Sequence, residues 1–154
     1  MKNWHYILLI FFWTIPSGFA QLKIHTFEEA EKLCKENPKP FVVFIQTSWC
    51  QYCKMMENST FKNSEVTNLL NTDFYFISLD AESKTAIHFN NHVFQFKPNG
   101  QNTGIHELAT ALATINSQVV YPTVTILESD YSIVFQKHSF LNAKELLVVL
   151  KKIK

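Results

Sequence analysis

An unbroken apolar run, Phe41-Val42-Val43-Phe44-Ile45, is followed after a short gap by Trp49-Cys50-Gln51-Tyr52-Cys53-Lys54. No other feature constrains the chain as much. A run without polar alternation describes a strand covered on both faces, and therefore one from the middle of a sheet. When such a strand runs into a short loop, the next helix opens at the sheet's end. That predicts Cys50 at the mouth of the helix, where unpaired N–H groups stabilise a thiolate and lower its pKa. Cys53 follows one helical turn later, within reach of the first sulfur. The pair can cycle between dithiol and disulfide with little backbone movement.

With 154 residues, the chain can build one domain with a sizeable core, and a 47% apolar share with 14 Phe excludes a disordered polymer. The formal charge is +1 and no basic block is present, which argues against nucleic acid as a partner.

Residues 1–20 read as a leader. Lys2 precedes an apolar stretch from Tyr6 to Ile15, and Pro16 to Ala20 supplies a break and small residues before a cut after Ala20. The stretch is short for a bilayer span, so an uncleaved anchor is the lesser reading. Residues 21–154 then form the domain. Removing Lys2 leaves a formal charge of +1 − 1 = 0. Export predicts an oxidising location, periplasmic or secreted. Three cysteines remain, Cys34, Cys50 and Cys53, and an odd number argues against a purely structural disulfide framework. Cys34 shares a helical face with Phe27 and Ala30 and reads as a small buried hydrophobe.

Thr26 with Glu29 forms a capping-box signal for a helix to about Glu36, ended by Asn37-Pro38-Lys39-Pro40. The helix after Cys50 is expected to bend near Asn58-Ser59-Thr60. A second helical segment, capped at Asn63 or Ser64, runs through Leu70. Phe74 to Leu79 is a second buried strand. Asn90-Asn91 joins Ala86–Phe89 to Val93–Phe96 as a small hairpin, and Lys97-Pro98-Asn99-Gly100 reads as a turn. Apolar positions 105, 108, 109, 112 and 115 predict a helix over Ile105 to Ile115. Thr123–Leu127 and Ser132–Gln136 read as an antiparallel pair, and Asn142 caps a last helix to about Lys152. This order predicts an α/β fold: a mixed central sheet with helices on both faces.

Trp-Cys-x-x-Cys-Lys after a buried strand, with an isolated Tyr121-Pro122-Thr123 entering a later strand, resembles the thioredoxin superfamily over roughly residues 22–154. A closer likeness is to the C-terminal thioredoxin-like domain of the disulfide reductase DsbD and small exported relatives. It is carried by Lys39-Pro40, Lys54, Glu57, and Thr60-Phe61 with Val66. The resemblance implies a thioredoxin-like three-layer sandwich, with residues 86–117 as an inserted hairpin and helix segment beside the active-site face. It implies a cis Tyr121–Pro122 bond beside the sulfurs and protein thiols or disulfides as substrates. It also implies a redox partner protein, membrane-bound or soluble. Cys50 would attack and Cys53 would resolve; Trp49, Gln51, Tyr52, Tyr121 and Pro122 would line the docking groove.

Two positions depart from that pattern. Thioredoxin has a buried Asp where this chain has Phe44. The dipeptide Gln51-Tyr52 is neither Gly-Pro, nor the Pro-His of DsbA, nor the Gly-His of protein disulfide isomerase. Glu57 lies one turn beyond Cys53 and is a candidate acceptor for its proton, or else a solvated helix residue. Zinc needs four ligands and only one Cys pair is present; covalent haem needs His where Lys54 stands. No cofactor is expected, and His88, His92 and His106 read as surface or core residues. Two functions remain. One is an exported thiol–disulfide oxidoreductase, reducing or isomerising. The other is a redox-inactive binding or chaperone-like module using the Phe89 to Phe96 hairpin as its surface.

Overall fold

The computed structural model describes residues 21–154; the leader read at 1–20 lies outside the described residues. Thr26 is extended, its hydroxyl accepts the Glu29 N–H, and the Glu29 carboxylate accepts the Thr26 N–H. Two orphan donors are thereby satisfied and helix α1 (Phe27–Glu36) begins. Strand β1 (Phe41–Gln46) follows, then α2 (Gln51–Asn58), a 3-10 turn (Thr60–Lys62), and α3 (Ser64–Asp73). The Asn63 side chain accepts N–H bonds from Glu65 and Val66, and α3 continues three residues past Leu70 to Asp73. Strand β2 (Tyr75–Asp80) completes a β-α-β crossover.

Next comes the insertion. β3 (Ile87–Phe89) and β4 (His92–Phe94) form the expected hairpin, with Asn90 and Asn91 both at positive φ, the conformation a two-residue hairpin turn requires. Two expectations fail here. Lys97 to Gly100 is not a turn: β5 (Phe96–Gly100) pairs with β6 (Thr103–His106), and the chain reverses at Gln101-Asn102. Pro98 is tolerated because each strand of a two-stranded sheet keeps one unpaired edge, where a missing N–H costs nothing. Gly104 sits so tightly against the Phe96 ring that a Cβ there would overlap it.

The helix predicted over Ile105 to Ile115 shrinks to α4 (Glu107–Ala113). Its first apolar position, Ile105, belongs to β6. Its last, Ile115, belongs to β7 (Thr114–Ile115), which pairs with β8 (Gln118–Val119). Asn116 and Ser117, both at positive φ, make that turn. A stripe shared between a helix and its flanking strands imitates a longer helix in sequence.

β9 (Thr123–Leu127), β10 (Ile133–Lys137) and α5 (Ala143–Ile153), opened by an Asn142–Glu145 capping box, close the chain. The main sheet runs β10-β9-β1-β2, with β1 parallel to β2 and antiparallel to β9. Alternation along β1 builds two cores. Phe41, Val43 and Ile45 pack with Phe27, Ala30 and Cys34 of α1 and with Leu108, Ala109 and Leu112 of α4. Val42 and Phe44 pack on the other face with Cys53 and Met56 of α2, Val66 and Leu70 of α3, and Leu146 and Leu150 of α5. The fold is therefore a thioredoxin-like three-layer sandwich.

The insertion closes over the α1 face. Phe89 is buried in that core, and the hairpin amides of His88 and Asn90 donate to the Glu28 and Glu31 carboxylates at 2.8 and 3.1 Å. The Phe89 to Phe96 hairpin therefore does not present Phe89 as part of a free apolar surface; its aromatic side chain is core.

Candidate active site

The loop after β1 is short and tightly bonded. The Cys50 N–H donates to the Thr47 carbonyl at 3.1 Å, which turns the chain and leaves Cys50 as the N-cap of α2. Its Sγ accepts the Cys53 N–H at 3.1 Å, taking one of the orphan donors of the first turn. Cys50 and Cys53 are joined by a disulfide with an S–S distance of 2.03 Å. Cys50 is 6% exposed and Cys53 1%: both are buried, the first slightly less than the second.

Around it the predicted residues assemble unevenly. Trp49 is largely exposed, and its ring meets the Tyr121 ring edge-on, with centroids 5.9 Å apart. Tyr121 packs against both cores, and the Tyr121–Pro122 bond is cis, at the entrance to β9. Gln51 and Tyr52 stand exposed on the first turn of α2, and Met55 continues that apolar surface one turn on. Glu57 is exposed. It lies on the wall of a groove of about 570 Å³, among the aromatic rings of Phe44, Phe61 and Phe76. The buried carboxylate of thioredoxin has no counterpart at Phe44, whose ring packs on Phe61 at 4.8 Å.

Sequence reasoning missed three groups. Glu82, on the loop after β2, accepts the Trp49 indole N–H at 3.1 Å; nothing in the sequence ties residues 33 apart. Thr123 donates its hydroxyl to the Val120 carbonyl at 2.7 Å and lies 3.0 Å from His138 Nδ1. Because the hydroxyl has a single proton, His138 Nδ1–H is the donor in that second contact. Among the described residues, two buried hydroxyls at the site, Thr47 Oγ1 and Tyr121 Oη, have no hydrogen-bond partner. Burial, and then the nearby Glu82 and Asp80, push the Tyr121 phenol up to about 12.

Residues 27–154 match the sequence profile of the thioredoxin-like domain. The chain belongs to that family. Among solved structures, this thioredoxin-like chain is similar to a DsbH oxidoreductase, with TM-score 0.63 and 18% identity over 99% of this chain and 93% of that one. It is also similar to a thioredoxin from Thermus thermophilus, with TM-score 0.62 and 20% identity over 87% and 88% of the two chains. A third is the reduced C-terminal domain of Neisseria meningitidis DsbD, with TM-score 0.52 and 20% identity over 81% and 90%. At these identities the likeness is one of fold. Among curated proteins, Homo sapiens spermatogenesis-associated protein 20 is 39% identical over 57 residues. That stretch is 37% of this thioredoxin-like chain, and the chain spans only 7% of the length of that relative.

Proposed function

We propose that this protein is an exported thiol–disulfide oxidoreductase that reduces or isomerises protein disulfides, periplasmic or secreted after loss of residues 1–20. The observation that carries the reading is a Cys50–Cys53 disulfide at the mouth of α2, with Cys53 the more buried of the two, Trp49 next to it in the chain, and Tyr121, which leads into the cis Pro122 bond, packed on the core that holds both sulfurs. Relatives of the same fold include proteins named a disulphide isomerase and a DsbD C-terminal domain, which is consistent with either direction.

The cycle begins when a dithiol donor, a redox partner protein or dithiothreitol, transfers two electrons and leaves Cys50 and Cys53 reduced. The Cys53 N–H that now meets Cys50 Sγ is a donor to the thiolate, and with the helix N-terminus it favours that form. Cys50 attacks one sulfur of a partner disulfide, forming a mixed disulfide and expelling the other partner sulfur as a thiolate. Cys53, deprotonated, then attacks Cys50 Sγ. The Cys50–Cys53 bond forms, the second partner thiol leaves, and the two electrons reside on the partner. In isomerisation the expelled thiolate attacks another disulfide of the partner, and the thiolate freed there breaks the mixed disulfide and releases Cys50 as a thiolate, so the partner's bonds are rearranged with no net transfer of electrons. Trp49, Tyr52 and Met55 offer exposed apolar surface for the partner to dock.

Glu57 is assigned the Cys53 proton, as the carboxylate one helical turn beyond it on α2. We expect Glu57→Gln to slow resolution of a trapped mixed disulfide by about tenfold, with Cys50 attack nearly unchanged. Resolution at the wild-type rate would reduce Glu57 to a surface residue.

The deciding assay is insulin reduction by dithiothreitol with catalytic amounts of protein. Acceleration that vanishes in Cys50→Ser is the expected result. An absence of acceleration, combined with protein binding indifferent to Cys50→Ser, would sink the reading in favour of a redox-inactive binding module.

A further inference from the structure

We propose that His106 is a positioning residue for the redox site: a neutral imidazole that ties the 81–85 loop to α4, holds Trp49 against Tyr121 through Glu82, and lets go in acid. The consequence for catalysis rests on the redox reading above; the structural coupling does not.

His106 is completely buried at the junction of β6 and α4. Its Nδ1 accepts the Leu108 N–H at 3.2 Å and so caps α4. A backbone N–H can only donate, so Nδ1 carries no proton. The proton is then on Nε2, which lies 3.2 Å from the Thr85 carbonyl and donates to it. Only the neutral Nε2–H tautomer satisfies both contacts. A proton on Nδ1 would face the Leu108 N–H donor to donor, and α4 would lose its cap.

The backbone N–H of His106 donates to the Ala81 carbonyl at 2.8 Å. The loop is therefore gripped at Ala81 and again at Thr85. Between those points stands Glu82. Its amide donates to Asp80 Oδ1 at 3.0 Å, and its carboxylate accepts the Trp49 indole N–H. An insertion remote in sequence from the disulfide thus sets the position of the acceptor for Trp49, the residue that immediately precedes Cys50.

Charges around the imidazole are Glu107 beside it, paired with Lys97 at 2.9 Å, and Lys84 over the ring of Phe96, the β5 partner of His106. Glu82 belongs to the loop itself, Asp80 ends β2 just before it, and His25 lines a groove together with Asp80, Ser83 and Thr85. Burial lowers the pKa of His106, an effect that the Thr85 carbonyl and Glu107 oppose. The folded protein therefore resists protonation. The stabilising contacts are intact above the ordinary value of 6.5 and are lost progressively as pH falls below it.

The test is an NMR titration of the oxidised full chain in a Trp4→Phe, Trp13→Phe background, so that Trp49 gives the sole indole N–H signal. The ring nitrogens of His106 should report the Nε2–H tautomer at neutral pH. The Trp49 indole signal should shift with the His106 midpoint, below 6.5. In His106→Asn, where an Asn oxygen can still cap α4, that component should disappear, and in His25→Asn it should remain. In insulin reduction, the loss of rate between pH 7.5 and 5.5 should be steeper for wild type than for His106→Asn.

A Trp49 signal that ignores the His106 midpoint in wild type would overturn the proposal even if the variant did not fold. So would an Nδ1–H tautomer, or a step that survives in His106→Asn. If no form accelerates insulin reduction, the redox reading falls while the titration still decides the coupling.

Discussion

The two sulfurs of this site have the same chemistry and unequal surroundings. Both lie in the core of Phe44 and Met56, but Cys50 caps α2 and keeps 6% exposure, whereas Cys53, one turn inside, keeps 1%. Iodoacetamide added to the reduced protein at neutral pH should therefore label Cys50 first, as read by peptide mass. Prior labelling of Cys53 or Cys34 would reverse the assigned roles. Tyr121 is the other decisive residue. Its phenol is held up to about 12 by burial first, then by Glu82 and Asp80. Because the folded value exceeds the ordinary value of 10, the stability it contributes is complete below pH 10. It is lost as pH rises toward 12. Tyr121→Phe should lessen the fall in stability between pH 10 and 12 seen by urea unfolding, leaving the share due to Tyr75 and Tyr131, which are also raised. At pH 7 it removes a buried hydroxyl without a partner, so stability should hold or rise by about 1 kcal/mol. A marked loss at pH 7 would mean that the hydroxyl has a partner.

Among the elements, caps and turns specify the boundaries. The α1 capping box joins Thr26 to Glu29 in both directions, and the helix it starts carries Phe27, Ala30 and Cys34 into the core. Thr26→Ala should cost about 1 kcal/mol in denaturant unfolding, and no measurable cost would show that the box is idle. In the β7–β8 hairpin, Ser117 holds φ 64°, a conformation an L side chain resists. Ser117→Gly should gain about 1 kcal/mol at that position. These turns explain why the insertion was only half legible. The Asn90-Asn91 turn announced its hairpin, since Asn is tolerated at positive φ. The β5–β6 pair was hidden behind Pro98 and Gly100, which read as turn residues wherever no partner strand is known.

For the whole molecule, the sandwich rests on β1 being covered on both sides. Phe44 is its largest contribution to the α2 face, stacked edge-on with Phe61, which in turn packs on Phe76 at 4.9 Å. Phe44→Ala should cost about 3–5 kcal/mol in urea unfolding. A cost below about 1 kcal/mol would mean that the neighbouring groove already lets the aromatic cluster collapse.

The sequence by itself determined the layers of this protein: a doubly covered strand, one helix-capping box at Thr26–Glu29 and a cap at Asn142, a sheet of mixed direction, and Cys50 at a helix mouth. Those are local facts, written in apolar periodicity and in pairs of residues three apart, and short-range physics is enough to read them. It also placed Cys34 correctly, because a helical face is visible at a spacing of three and four. What the tertiary structure alone decided are the long-range partners. Glu82 under Trp49, His138 on Thr123, Glu28 and Glu31 holding the inserted hairpin, and His106 between α4 and the 81–85 loop all join residues far apart in the chain. A single exposed Glu or a lone His has no sequence pattern that names its partner. The bond exists only where folding brings a donor within about 3 Å of an acceptor.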